Sequence, residues 1–247
     1  MHARNQANTP PLPPVVILCG GAGTRLRAEV PSLPKPLVEV GGRPILWHVA
    51  QIYLAQGFRE FLLLTGFRAE AIERFVAGER WPQDASIRCL STGADTPTGG
   101  RLRQAAAELP EGTVCVTYAD GVADVDLAGL VTEHRNSEAR GTMTVVRPEL
   151  PFGVAELNGD GVVAGFDEKP RSEHWINAGF FCFEREVLAG LAPDSTLERE
   201  PLAKLAASGQ LRAFHHEGFW RCMDTYKDAV TLNTLWASGD APWKLWA

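Results

Sequence analysis

A chain of 247 residues, 45% hydrophobic and 22% charged, has enough material for one large α/β domain with a sizeable core. Its formal charge of −6 excludes a general nucleic-acid or anionic-membrane surface, so any anion must be held by local positive groups. Five scattered cysteines without a C-x-x-C leave no readable disulfide or zinc framework, and no apolar run approaches the roughly 18 residues of a membrane span, so a cytoplasmic, reduced protein is expected.

The opening MHARNQANTPPLPP lacks the apolar core of a signal peptide and reads as a disordered, proline-rich lead over 1–13. A single domain over 14–247 follows. VVILCG (15–20) is short, apolar and β-branched, as expected of a strand buried on both faces. Residues 43–57 place Leu46, Ala50 and Tyr53 at helical spacing and stop at Gly57. EFLLLTG (60–66) predicts the next buried strand. A helix over 68–77, a strand over 86–91, a helix over 100–109 and the strand TVCVTYAD (113–120) continue the alternation. Strands alternating with helices predict a mostly parallel sheet with right-handed crossovers.

After residue 140 strands dominate: 141–148, 152–157, 161–170 and 176–184, with NGDG (158–161) as a hairpin turn. Helices over about 184–190 and 198–208, a strand over 211–216 and a helix over about 225–238 complete the pattern. The tail APWKLWA, with Trp243 and Trp246, is read as tied down by aromatic packing or as a contact with another subunit. The predicted class is α/β, a Rossmann-like mixed, mostly parallel sheet over a nucleotide-binding half (14–140). The second half (141–247) adds antiparallel strands over the sheet's working edge.

In open α/β sheets ligands bind at the carboxyl ends of the strands, where Gly20, Gly21 and Gly23 would turn backbone N–H groups toward a phosphate. A dinucleotide fingerprint fails because Leu26 stands where its third glycine belongs, and no Walker-type G-x-x-x-x-G-K-[ST] string exists. What remains is G-G-x-G-T-R, with Arg25 as a planar fork of donors and Lys35 as a compact charge between Pro34 and Pro36. Only five lysines occur among 24 Lys plus Arg, and two of them, Lys35 and Lys169, precede a proline. Asp120 ends an apolar strand at the same edge. Asp224, in GFWRCMDT, precedes a helix start, which also makes it a helix-capping candidate. Two aspartates converging on a phosphate loop suit Mg²⁺, which takes one or two carboxylates and fills its shell with phosphate and water. His215 and His216 end a strand on opposite faces and are not read as ligands.

The segments LCGGAGTRL, LPKPLVEVGGRPILWH, TGGRL, YADGVADVD, FDEKP, INAGFF, GFWRCMDT and LWASGDAPWKLW resemble, in order and approximate spacing, the sugar-1-phosphate nucleotidyltransferases. Within that family the chain most resembles glucose-1-phosphate cytidylyltransferase, over about residues 15–247. The resemblance implies a GT-A type fold, an NTP and a sugar 1-phosphate as substrates, Mg²⁺ as cofactor, and a homo-oligomer. It places Leu18, Cys19, Gly20, Gly21, Ala22, Gly23, Thr24 and Arg25 around the nucleotide, with Lys35 on the phosphates. Thr96, Gly99, Gly100, Arg101 and Ala119 would complete the nucleotide site, and Asp120 and Asp224 would hold the metal. Gly153, Glu168 and Asn177 would face sugar hydroxyls, and Lys169 the sugar phosphate. Arg25, Lys35 and Asp120 are the implied catalytic set. Three departures stand out: a shorter stretch between Phe75 and Gly93, Ala119 in place of glycine, and no additional lysine before Pro34-Lys35-Pro36. They leave open another base (GTP, ATP, UTP or dTTP) and a heptose or other modified sugar phosphate. An inactive regulatory relative is the non-enzyme alternative.

A sugar phosphate is already an anionic nucleophile near neutral pH, so no general base is needed. Catalysis then consists of bringing two anions in line and neutralising their charge.

Overall fold

The computed structural model describes residues 10–21, 23 and 33–246. In chain order the elements are β1 (Val15–Leu18), β2 (Glu39–Val40), β3 (Arg43–Pro44), α1 (Ile45–Ala55), β4 (Glu60–Thr65), α2 (Ala69–Gly78) and β5 (Ser86–Ser91). Next come α3 (Thr98–Ala105), β6 (Thr113–Tyr118), β7 (Gly121–Ala123), α4 (Leu127–Arg135), β8 (Gly141–Val146), β9 (Val154–Leu157) and β10 (Val163–Asp167). The last are β11 (Ile176–Glu184), α5 (Arg185–Ala189), α6 (Glu200–Ala207), β12 (Leu211–His215), β13 (Trp220–Cys222) and α7 (Tyr226–Ser238).

Seven strands form one sheet in the order β12-β8-β11-β6-β1-β4-β5. All run the same way except β11, which is antiparallel to both neighbours. β1 sits inside, and its four residues are all buried, because a central strand covered by helices on both faces must be apolar at every position. Val15 and Ile17 join a core with α1, Phe58 and Trp243; Val16 and Leu18 join the opposite core with Leu102, Phe181 and Leu197. The side-chain period of two thus divides one strand between two cores.

The second half departs in detail from the sequence expectation. β8, β11 and β12 join the main sheet, while β9 and β10 stand apart as a two-stranded antiparallel ribbon and β13 pairs with β7. NGDG does make its turn: Asn158 and Val162 close it, with Gly161 at φ +79°. α4 lies where no helix was expected. Asp126 caps it, its side chain accepting from Gly129 N at 2.8 Å, and Leu127, Leu130, Val131 and His134 make its buried stripe. The expected helix over 100–109 begins two residues earlier, so Gly99 and Gly100 lie in the first turn of α3.

Residues 10–13 of the lead are packed on the body rather than loose: Leu12 lies against the core, and Arg135 Nη2 donates to Pro11 O at 2.8 Å. The tail is anchored. Trp243 is fully buried, stacks on Phe219 and donates from its indole to His48 Nδ1. Among the described residues no helix is long and apolar enough to cross a membrane.

Candidate active site

Two segments a hundred residues apart meet because β7 and β13 pair antiparallel, with Gly121 opposite Cys222. The pairing continues one step further, Met223 N donating to Asp120 O at 2.8 Å. That register sets Asp120 beside Asp224. The capping alternative for Asp224 does not hold, since Thr225 caps α7 in a reciprocal box with Asp228. The Asp224 carboxylate is therefore directed elsewhere, and Lys35 meets it.

Lys35 opens a single 3-10 turn (Lys35–Leu37) whose prolines on both sides are buried. Its ammonium lies 2.6 Å from Asp120 Oδ2 and 2.6 Å from Asp224 Oδ1. Burial alone would lower this lysine's pKa, but Asp120 and Asp224 outweigh that cost and hold it above the ordinary value. The Cys222 thiol points into the same corner, its sulfur and one oxygen of each aspartate lying within 4.8 Å of one another. Burial and the Asp120 carboxylate push the thiol's pKa up, so Cys222 stays protonated.

A cavity of about 340 Å³ opens from this corner, lined by Asp120, Asp224, Asn177, Tyr118, Glu198 and Trp220 among others. Asn177 sits where the pairing of β11 with β8 slips, and its Oδ1 accepts from Gly179 N at 2.8 Å, the glycine being at φ +83°. Tyr118 donates to Glu198, whose other oxygen accepts from Thr98 Oγ1 at 2.7 Å. Burial and Glu198 raise the Tyr118 pKa, so the phenol remains a donor. Tyr118, Glu198, Trp220 and Cys222 were not singled out from sequence. The signal was there for three of them: Tyr118 precedes Asp120 by two, and Trp220, Cys222 and Asp224 alternate along β13 and its continuation.

At the end of β1, Leu18, Cys19 and Gly20 are buried, Gly21 is exposed, and Gly23 stands at φ +57° with room for no Cβ, which would come 2.8 Å from that of Lys35. Ala22, Thr24 and Arg25 lie outside the described residues. Ala119 is buried beneath Asp120. Thr96 folds back on its own loop, donating to Thr92 O.

Arg101, which the resemblance places in the nucleotide site, is held by acceptors of the protein itself. It is 3% exposed, and its guanidinium donates to Thr65 O, Gly20 O, Ala94 O and Thr92 Oγ1. It clamps the ends of three strand-edge loops and positions the glycine turn. Gly99 and Gly100 likewise face protein: both N–H groups donate to Ser195 O, and a Cβ on Gly100 would fall 2.0 Å from Pro193 O. Both glycines allow the chain to pack closely here.

The sugar-side residues are divided. Asn177 lines the cavity with the aspartates, but Lys169 lines a neighbouring chamber that shares Trp220 as a wall. Glu168 is exposed, and Gly153 lies half-buried at the root of the ribbon against Phe166.

Residues 14–227 match the family described as nucleotidyl transferase. The chain belongs to that family. It is 36% identical over 258 aligned residues to the glucose-1-phosphate cytidylyltransferase of Salmonella typhimurium, covering 94% of this chain and 98% of that protein. It is 33% identical over 231 residues to the mannose-1-phosphate guanylyltransferase catalytic subunit beta of Drosophila pseudoobscura pseudoobscura, covering 90% of this chain and 62% of that one. Its fold matches HddC from Yersinia pseudotuberculosis, solved in complex with GMP-PN, at a TM-score of 0.73 with 19% identity, covering 91% and 100% of the two chains.

This sugar-1-phosphate nucleotidyltransferase belongs to a family that generally uses a divalent metal. The donors at the corner fit such an ion. Asp120 and Asp224 supply hard carboxylate oxygens, and the Lys35 ammonium between them marks a place built for positive charge.

Proposed function

We propose that the protein converts CTP and glucose 1-phosphate to CDP-glucose and pyrophosphate, with Mg²⁺ held by Asp120 and Asp224. The observation that carries this reading is the meeting of Lys35, Asp120 and Asp224 at the carboxyl edge of the parallel strands, beside a sugar-sized cavity. The choice of CTP and glucose 1-phosphate draws support from a relative of that name that matches over nearly its whole length.

Magnesium, when bound, would supply charge neutralisation for the triphosphate and the departing pyrophosphate. Lys35 then turns from the carboxylates to the α-phosphate, where charge builds as the sugar phosphate attacks. Arg25 fastens the triphosphate by its planar fork, and the glycine turn adds backbone N–H donors. Asn177, with Gly153 and Glu168, orients the sugar hydroxyls, and Lys169 guides the sugar phosphate. Trp220 fixes the cavity wall, its indole donating to Ala178 O at 2.8 Å. The protein is proposed to act in the cytoplasm as a homo-oligomer.

The test is pyrophosphate release by the purified protein with Mg²⁺, crossing CTP, GTP, ATP, UTP and dTTP with glucose 1-phosphate and other sugar 1-phosphates. Turnover with CTP and glucose 1-phosphate is the expected result. Turnover with a different pair alone would keep the reaction and replace the substrates.

A further inference from the structure

The chamber beyond Trp220 holds about 440 Å³ and is lined by Arg147, Lys169, Arg171 and Arg221, with Glu149 as the one carboxylate on its wall. Four cations around one cavity run against a chain of net charge −6. Their commitments differ. Arg171 is locked, donating from Nε to Arg147 O at 3.1 Å and from Nη1 and Nη2 to the carboxylate and backbone oxygens of Glu217. Arg147 reaches the same carboxylate at 3.2 Å and lies over the Trp175 ring, yet its buried Nε has no partner among the described residues. Lys169 touches only its neighbour Glu168, at 3.7 Å. Arg221 is half-buried, and its side chain makes no hydrogen bond or ion pair among the described residues.

The positions of these groups are fixed by backbone. Ser172 N to Pro148 O and Leu150 N to Pro170 O tie the two legs of the ribbon together, carrying Arg147 and Arg171 side by side. Strand alternation in β13 sends Trp220 and Cys222 to the reaction cavity and leaves Arg221 to the chamber. An orphaned guanidinium nitrogen and an unpaired arginine, preorganised around a void, are costly unless an oxyanion completes them.

We propose that this chamber binds a phosphate-class oxyanion other than the phosphate that reacts. The anion is either a second acidic group carried on the sugar past Trp220 or a free anion from solution. The reacting phosphate must lie with Lys35 and the aspartates, in a cavity that Arg147, Arg171 and Arg221 do not line. The inference therefore stands on the three arginines and not on Lys169, and its binding arm is independent of the proposed turnover.

Calorimetric titration of the whole, metal-free protein with inorganic phosphate should show binding that weakens roughly tenfold or more in Arg221→Gln and less in Arg221→Lys. Turnover is then compared for glucose 1-phosphate and glucose 1,6-bisphosphate. A lower KM for the bisphosphate that Arg221→Gln abolishes identifies the anion as a sugar substituent. Equal KM values, with phosphate binding undisturbed by saturating glucose 1-phosphate, identify a free anion. Wild-type protein that binds no phosphate, binding indifferent to Arg221→Gln, or full displacement of phosphate by glucose 1-phosphate would each overturn the proposal.

Discussion

Lys35 and Lys169 share a local sequence, each followed by proline, and the fold treats them in opposite ways. Lys35 is 13% exposed and held between two carboxylates on a turn that β3 and α1 contact. Lys169 is 51% exposed, stands at φ +50°, and sits at the foot of a ribbon whose Leu157, Val163 and Phe166 are open to solvent. An isolated two-stranded ribbon is marginal in water, whereas the strand edge is fixed from both cores. The difference teaches that the lysine proposed to act on the α-phosphate is held in place before any substrate arrives, while the lysine proposed to guide the sugar phosphate hangs on a thinly supported ribbon.

The largest break in that contrast comes from the clamp under the glycine turn. Arg101→Gln strands the buried carbonyls of Thr65 and Gly20 and loses the part-buried bond to Ala94, and should lower stability by about 3 kcal/mol or more. Chemical denaturation measures it, and a loss below about 1 kcal/mol would mean that the edge is not preorganised by Arg101. Next in size is the chemistry itself. Lys35→Ala, Asp120→Asn and Arg25→Ala should each lower turnover about a hundredfold, or about 2.7 kcal/mol. Near-normal turnover in any of them would remove that residue from its role.

A third prediction concerns the backing of the same edge. His48 is fully buried, its Nε2 on Val40 O at 2.8 Å, and burial, partly offset by that bond, depresses its pKa to about 4. Unfolded, the ring takes a proton below its ordinary value of 6.5, while folded it stays neutral until about 4. Stability from this group is therefore complete above 6.5 and drains away as pH falls through that window, by about 2–3 kcal/mol. Tryptophan fluorescence is a direct reporter, since Trp47, Trp236, Trp243 and Trp246 surround the ring. His48→Gln should flatten the slope between pH 6.5 and 4; an unchanged slope would assign it to other groups.

Much of the parallel half was legible because buried strands and glycine turns leave local signals. β5 and β11 have the bounds expected from apolar patterning. α4 was not expected, although Asp126 and the Leu127, Leu130, Val131, His134 spacing announce it. The partnership of Lys35 with Asp120 and Asp224 was half legible: type and edge could be read, but the meeting depends on the β7–β13 register, which no local pattern specifies. The partners of Arg101 were illegible for a related reason. An arginine beside a glycine pair looks like a ligand group from sequence, and only the three-dimensional path of Thr65 and Gly20 reveals acceptors for it within the protein. The basic chamber draws on residues 147, 169, 171 and 221, spread over segments that only the ribbon root and β13 unite.

The smallest effect sharpens the contrast most. A left-handed lysine is strained relative to glycine, and such strain persists where surrounding structure or function requires it. Lys169→Gly removes both the charge and the strain. Stability should change by less than about 1 kcal/mol, in the favourable direction, because the relieved φ outweighs the added freedom of the unfolded chain. Turnover should fall at the same time through a raised KM for the sugar phosphate. Lys169→Ala provides the control, losing the charge while keeping the strain. If Lys169→Gly and Lys169→Ala were equally stable, the backbone at the ribbon's foot would carry no strain. If both kept the wild-type KM, Lys169 would not guide the sugar phosphate, and the contrast between the two lysines would reduce to one of burial.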